Sequence, residues 1–340
     1  MPPMAPASAP HDDQDLALSV VIPAYNEAEA LPQLIEWIDR VVRQHQLLPY
    51  EIIVIDDGST DDTWQVLQSL AGQYPALRAV RFRKNYGKSS ALNVGFRLAQ
   101  GQVVITMDAD LQDSPDEIPP LYEMIRSGQY DLVSGWKKKR FDPPSKTIPT
   151  KLYNWATRLL SGIQLHDMNC GLKAYRKDTV KNIHLYGEMH RYIPVIAKAA
   201  GFHRIGEKVV QHRPRPYGKS KFGIERFVYG LLDLMTIMFV STFGRRPMHF
   251  FGSLGLLSFF IGVAILLYLS ISKLVLKVHG IADRPLFFLG ILTILLGAQF
   301  FLTGFLGELF INNQAKKHTY QIEDTIGPLS RHIHHLTEHD

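Results

Sequence analysis

The chain has 340 residues, 46% hydrophobic and 20% charged, with a formal net charge of +5. The hydrophobic share excludes an intrinsically disordered protein, and the length allows one large domain or two smaller ones. A single cysteine, Cys170, excludes a disulfide scaffold and a Cys-based zinc site.

Residues 1–15 are rich in Pro and Ala, end in acidic residues and have no apolar core. They are expected to be a disordered leader and not a signal peptide. Leu18 to Ile22 is a short β-rich run, after which Leu31, Leu34, Ile35, Ile38, Val41 and Val42 recur at helical spacing. Ile52 to Ile55 predicts a second strand and Thr60 to Leu70 a second helix. Ala79 to Phe82 predicts a third strand, Ala91 to Leu98 a helix, and Val103 to Met107 a fourth strand. Ser114-Pro115-Asp116-Glu117 reads as a helix start, a capping box with Pro in the first turn. Asp131 to Ser134 gives a fifth strand. This alternation predicts an α/β fold, a mostly parallel sheet with helices on both faces. Ligands of such sheets bind beyond the carboxyl ends of the strands.

The last third is different, and the mean hydropathy of -0.04 conceals it. Pro247 to Ser272 and Pro285 to Gly307 contain no Asp, Glu, Lys or Arg. Each run exceeds the roughly 20 apolar residues needed to cross a bilayer, and neither has a polar face. With only Lys273 to Arg284 between them they form a hairpin with both ends on one side. Arg245, Arg246, Lys316 and Lys317 flank it and the loop carries Lys273, Lys277 and Arg284, a modest positive-inside bias from which the soluble part is expected in the cytoplasm, at the inner membrane. The segment 227–243 is apolar but holds Asp233, and a charge at mid-bilayer costs about 2.5–3.5 kcal/mol on insertion scales. A helix lying at the membrane surface is expected there, with a third span as the alternative.

Unusual residues cluster at the strand ends. Pro23-Ala24-Tyr25-Asn26-Glu27 follows the first strand, Asp56-Asp57-Gly58-Ser59 the second, and Asp108-Ala109-Asp110-Leu111-Gln112 the fourth. In extended chain, residues i and i+2 face the same side, so Asp108 and Asp110 are expected to act together on a hard divalent cation. Mg²⁺ typically takes one or two carboxylates plus phosphate oxygens and water, and Gln112 offers a neutral oxygen. Gly87-Lys88-Ser89 looks like the end of a P-loop, but Phe82 stands where that motif needs Gly. Lys88 can still reach a phosphate from a helix N-terminus.

Together, Val21 to Glu27, Val54 to Ser59 and Asp108 to Gln112 resemble the signature of family 2 glycosyltransferases with the GT-A fold. Arg215-Pro216-Tyr217-Gly218-Lys219-Ser220-Lys221 resembles a motif of dolichol-phosphate mannose synthases and bacterial polyprenyl-phosphate glycosyltransferases. The resemblance implies that Pro23, Tyr25, Glu27, Asp56 and Asp57 line the nucleotide, with Lys88 beside them. It implies that Asp108, Ala109 and Asp110 meet the diphosphate, and that Asp110 and Gln112 ligate Mg²⁺ or Mn²⁺. Arg215 and Lys221 would bind donor phosphates, and Asp167 to Lys173 would close the sugar pocket. Where mannose synthases use arginines for the acceptor phosphate, this chain has Lys137, Arg140 and Lys151, which keep charge but mostly lose the bidentate fork.

The implied reaction is inverting transfer of a sugar from a UDP- or GDP-sugar to undecaprenyl or dolichyl phosphate. The expected organisation is a leader (1–15), a GT-A domain (16–223), an interfacial segment (224–246), a transmembrane hairpin (247–310, spans about 248–272 and 286–308) and a tail (311–340). A fragment ending at Phe222 is expected to be soluble and inactive. His332, His334, His335 and His339 belong to the tail and are not expected to bind metal. Basic residues crowd 137–151 and 204–221, suited to a phosphate at a membrane surface. Aromatic stacking residues are sparse there, so no nucleic acid is expected. Hairpins of this kind often pack together in relatives, which allows a homo-oligomer. The competing readings are another membrane glycosyltransferase of polysaccharide or glycolipid synthesis, and an inactive binding scaffold on the same fold. A processive synthase would need a Gln-x-x-Arg-Trp motif and more spans, and has neither here.

Overall fold

The computed structural model describes residues 16–138, 157–158, 161–185, 187–214, 247–275, 285–313 and 322–327. They fall into two units, a sheet unit and the unit from Met235 to His318. The expectations for the leader, the 227–243 segment and the histidine-rich end of the tail lie outside the described residues.

The apolar runs form strands β1 (Leu18–Ala24), β2 (Tyr50–Asp56), β3 (Leu77–Phe82) and β4 (Val103–Thr106). All four are parallel, with Ala24 opposite Asp56 and Val21 opposite Thr106, so the three loaded turns leave the sheet at one edge. Strands β5 (Leu132–Trp136), β6 (Lys173–Arg176), β7 (Ile205–Val209) and β8 (Ile322–Ile326) complete an eight-stranded sheet in the order β7-β5-β6-β4-β1-β2-β3-β8. Both β6 and β8 run antiparallel to their neighbours. Strand β8 lies in the stretch expected to be only a tail. It pairs with the β3 edge, and Trp64 Nε1 donates to Asp324 Oδ2 at 3.3 Å.

Helix α1 (Leu31–Gln44) buries Leu34, Ile35, Ile38, Val41 and Val42, the stripe that its spacing predicts. Helix α2 (Thr63–Ala71) and helix α4 (Ile118–Arg126) contribute Trp64, Leu67, Leu121 and Ile125 to the same core. Helix α3 (Lys88–Leu98) packs tightly on the sheet, for a Cβ on Gly95 would lie 2.3 Å from Val21 Cγ1. Short helices α5 (Lys177–Asn182) and α6 (Ile193–Ala199) follow β6, with a 3₁₀ turn at Met189–Tyr192 between them.

The capping box is not formed. Ser114 Oγ donates to Asp116 Oδ2 at 3.0 Å, and a 3₁₀ turn (Pro115–Glu117) precedes α4. Glu117 instead accepts from Gln211 N at 3.1 Å and pairs with Lys208. The buried acid serves the β7 side of the sheet, which outweighs a local cap.

In the second unit, helices α7 (Pro247–Leu274) and α8 (Pro285–Asn313) each reach about 40 Å at 1.5 Å per residue, enough to span a bilayer. Only 17% and 11% of their most apolar windows are buried, which is not how core helices of a soluble protein behave. They meet along glycines: a Cβ on Gly255 would sit 2.7 Å from the Gly297 carbonyl oxygen, and one on Gly262 2.7 Å from that of Gly290. Small residues let backbones approach where no hydrophobic force separates helix from lipid. Ser258 Oγ adds an interhelical hydrogen bond to the Thr293 carbonyl at 3.0 Å.

Candidate active site

The turns after β1 and β2 are built as one piece. Asp57 N–H donates to the Ala24 carbonyl at 2.9 Å, and Asn26, at φ 57°, accepts from Thr60 N–H at 2.8 Å. Gly58 (φ 71°) leaves the space a side chain would take, since its Cβ would fall 2.5 Å from the Lys84 backbone. Asp56 is fully buried behind this turn, accepting from Ser59 N–H at 2.8 Å and facing Arg81 Nε at 3.6 Å. Burial raises its pKa. It shapes the turn and does not line the cleft. Asp57 does line it, accepting from Tyr86 and Gly87 N–H at 2.7 and 2.9 Å just ahead of α3. Its burial outweighs those two bonds and pushes its pKa up to about 6.

The cleft encloses about 360 Å³ at the carboxyl ends of β1, β2 and β4. It brings together Pro23, Tyr25, Glu27, Asp57, Lys88, Asp108, Ala109 and Asp110, all expected from sequence. It also takes in Gly87, from the P-loop-like triplet, and Asn85, Glu188 and His190, which the motifs did not flag. Asn85 and Gly87 come from the loop that Asp57 holds, and Glu188 and His190 from a 3₁₀ segment remote in sequence.

Asp108 and Asp110 share the cleft, but not by strand alternation. Strand β4 ends at Thr106, and the triplet lies in a turn with Leu111 at φ 60° and Gln112 N–H donating to Asp110 Oδ1 at 3.2 Å. Lys88, at the first position of α3, puts Nζ 2.5 Å from Asp108 Oδ1. Burial alone would raise the Asp108 carboxyl. The pull of Lys88 and Lys137 and the Lys88 hydrogen bond outweigh it and bring the pKa down to about 2. From behind, Gly171 closes on the same carboxylate, for a Cβ there would meet it at 2.6 Å, and Thr106 Oγ1 fixes the Gly171 carbonyl at 2.9 Å.

Lys137 is engaged elsewhere than at an open acceptor site. Its Nζ lies 2.7 Å from Asp113 Oδ1, with the Asp113 side chain fully buried. Burial would depress its ammonium, yet Asp113 and its neighbours hold the pKa well above the ordinary lysine value. Asp113 bridges to His212, and Arg213 N–H donates to the Gln112 carbonyl at 2.9 Å, so the segment 212–213 runs beside the end of the Asp108–Gln112 turn. Arg213 stacks over the Trp37 ring at 4.3 Å. Arg140, Lys151, Arg215 and Lys221 lie outside the described residues.

Among the described residues no cluster of three or more His, Cys, Asp or Glu makes a closed metal cage. Of the two expected ligands, Asp110 lines the cleft and Gln112 is not among its lining residues. A carboxylate is a hard oxygen donor of the kind Mg²⁺ or Mn²⁺ takes together with diphosphate oxygens.

A sheet of this order with its loaded carboxyl edge is a GT-A-like fold. The model of glycosyl transferase family 2 matches residues 19–183, and the chain belongs to that family. It is 38% identical over 301 residues to dodecaprenyl-phosphate galacturonate synthase of Rhizobium johnstonii, covering 87% of this chain and 88% of the relative. It is 33% identical over 294 residues to undecaprenyl-phosphate 4-deoxy-4-formamido-L-arabinose transferase of Pseudomonas syringae pv. syringae, covering 86% and 84%. The fold is shared with glucosyl-3-phosphoglycerate synthase of Mycobacterium tuberculosis in complex with UDP, at TM-score 0.51 and 20% identity over 66% of this chain and 79% of that one. A second complex of that enzyme, containing Mn²⁺, UDP and phosphoglyceric acid, has TM-score 0.50 and 21% identity over 66% and 78%.

Proposed function

We propose that the protein transfers a sugar from a nucleotide sugar to a polyprenyl phosphate, with inversion and with a divalent cation, from the cytoplasmic side of the inner membrane. The observation that carries this is one cleft holding Asp108, Asp110 and Lys88 at the strand ends, in a chain that also carries a spanning hairpin. A water-soluble donor and a lipid acceptor call for those two parts. Relatives named for transfer to dodecaprenyl and undecaprenyl phosphate support the acceptor class.

In this reading Pro23, Tyr25, Glu27 and Asp57 hold the nucleoside, and Asp108, Ala109 and Asp110 face the diphosphate. Asp110 and Gln112 would hold the cation, which supplies positive charge against the charge gathering on the leaving diphosphate. Lys88 keeps Asp108 ionised and oriented, and places a cation at the same end of the cleft. The acceptor phosphate, with a second pKa of about 6, is already an anion near pH 7 and needs no strong base. It needs orientation by positive charge, the task proposed for Lys137, Arg140 and Lys151, with Arg215 and Lys221 on the donor phosphates. The Lys137–Asp113 pair favours Arg140 and Lys151 for direct contact.

The test is transfer of labelled sugar by purified protein in detergent, offered UDP- and GDP-sugars, Mg²⁺ or Mn²⁺ and undecaprenyl phosphate. A metal-dependent, lipid-linked product is expected. No product with any donor overturns the reading.

A further inference from the structure

The cleft has a wall that no signature motif accounts for. Glu188 and His190 enter it from the segment just ahead of α6, about 80 residues beyond Asp108 in sequence. In the four-residue turn Met189–Tyr192, Met189 is buried and Tyr192 fully buried, so two residues root the turn in the core while His190 stands in the cleft. Its placement is fixed twice by one fully buried hydroxyl. His190 N–H donates to Ser89 Oγ at 2.9 Å, and the same Oγ lies 3.1 Å from His190 Nδ1. Ser89 follows Lys88 in the first turn of α3, so the imidazole is tied to the element that carries the Lys88–Asp108 pair. Beside it, Arg191 Nη2 holds Glu188 Oε2 at 2.7 Å.

Contacts within the cleft decide what this wall meets. Asp57 holds the Gly87 N–H, Lys88 next in the chain pairs with Asp108, and Ser89 after it holds His190, so His190 enters the lining beside the Lys88–Asp108 pair. If Asp108 and Asp110 face the diphosphate, the group that follows it in a nucleotide sugar, away from the nucleoside, is the transferred sugar. We infer that His190, oriented by Ser89 and flanked by Glu188, is a specificity-determining residue that hydrogen-bonds the polar substituents of the transferred sugar. The inference rests on the proposed donor class. An imidazole and a carboxylate together offer donors and acceptors, which suits ring hydroxyls and their substituents. A site built to hydrogen-bond such a group discriminates strongly against a donor lacking it.

The experiment compares full-length wild type with His190→Ala, His190→Asn and Ser89→Ala in detergent, measuring UDP and GDP binding by calorimetry and transfer from a panel of UDP- and GDP-sugars. Nucleoside diphosphate affinity should stay within about twofold, while kcat/KM for the preferred sugar falls at least about tenfold and the ranking of donors changes. His190→Asn, which keeps a polar group, should recover part of the loss, and Ser89→Ala should mimic it more weakly. Equal losses for free nucleoside diphosphate and for nucleotide sugar overturn the inference, as does an unchanged donor ranking with normal rates. Wild type that binds neither UDP nor GDP overturns the donor reading itself, an outcome distinct from either.

Discussion

The two units obey opposite rules of burial. In the sheet unit, charged groups such as Asp56, Asp113 and Lys173 are buried and partnered, while the apolar residues of β1 and β2 are hidden. In the hairpin, Leu257, Phe260, Leu267, Phe288, Leu295 and Leu302 are exposed, and what is buried is mostly glycine, with Pro247, Leu269 and Ser272. Water explains the first pattern, through hydrophobic burial and the cost of unpaired charge. Lipid explains the second, because apolar side chains gain nothing by leaving it and helices associate through close packing. The difference teaches that chemistry and anchorage are separable tasks of this chain, and substitutions should separate them.

The largest effect is expected in the sheet unit. Asp110→Asn should lower transfer by at least about 100-fold, because it removes charge from the proposed cation without touching the core. Its thermal midpoint should stay within about 2 °C of wild type, as for substitutions outside buried networks. Normal transfer at ordinary Mg²⁺ would refute the cation assignment. In the hairpin, Gly297→Leu drives a side chain into the Phe259 backbone, 2.6 Å from the position of its Cβ. Overpacking of this kind costs about 1–3 kcal/mol, so thermal stability in detergent should fall while UDP and GDP binding persists. Loss of nucleotide binding as well would show that the units do not divide the work.

Gly171→Ala should fall between the two classes. The new methyl meets the Asp108 carboxylate at 2.6 Å, so transfer should drop about tenfold through displacement of a positioned charge, with folding retained. The smallest effect is electrostatic. Asp57 is raised from 3.8 to about 6 in the folded chain, so between those values the native state binds more protons than the unfolded state. Wild-type stability contributed by Asp57 is therefore full below about pH 4 and lost as pH rises through about 6. Asp57→Asn lacks this term. Its stability relative to wild type should rise from pH 4 to pH 7 in denaturant titrations, and a flat difference would contradict the buried carboxyl. Asp108, lowered to about 2, has the opposite sign and loses its contribution only as pH falls below about 4.

Elements with a strong pattern could be read from the residues alone. Strands β1 to β5 differ from their expected limits by a few residues, and α1 buries the stripe its periodicity marks. The antiparallel strands were harder to see. Lys173-Ala174-Tyr175-Arg176 and Ile322-Glu323-Asp324-Thr325-Ile326 are short and charged, and their partners in the sheet are remote in sequence. The site divides in the same way. Tyr25, Asp57, Asp108 and Asp110 follow apolar strands directly, so their shared edge could be inferred. His190 and Glu188 reach the cleft only because Ser89 and the Tyr192 core contact fold a 3₁₀ turn back against α3. The Lys137–Asp113 pair was equally hidden, since a lysine in a basic run shows no sign in sequence of a buried partner.

Strand β8 has a topological consequence. It follows the hairpin in sequence yet belongs to the sheet that precedes it. The hairpin is thus an insertion within the sheet domain, and not an appendage after it. A fragment stopped at Phe222 would leave the β3 backbone from Ala79 to Phe82 as a bare edge, open to pairing with another chain. The self-contained soluble unit is instead a splice, in which a short linker replaces the hairpin and returns Ile322–Ile326 to its place.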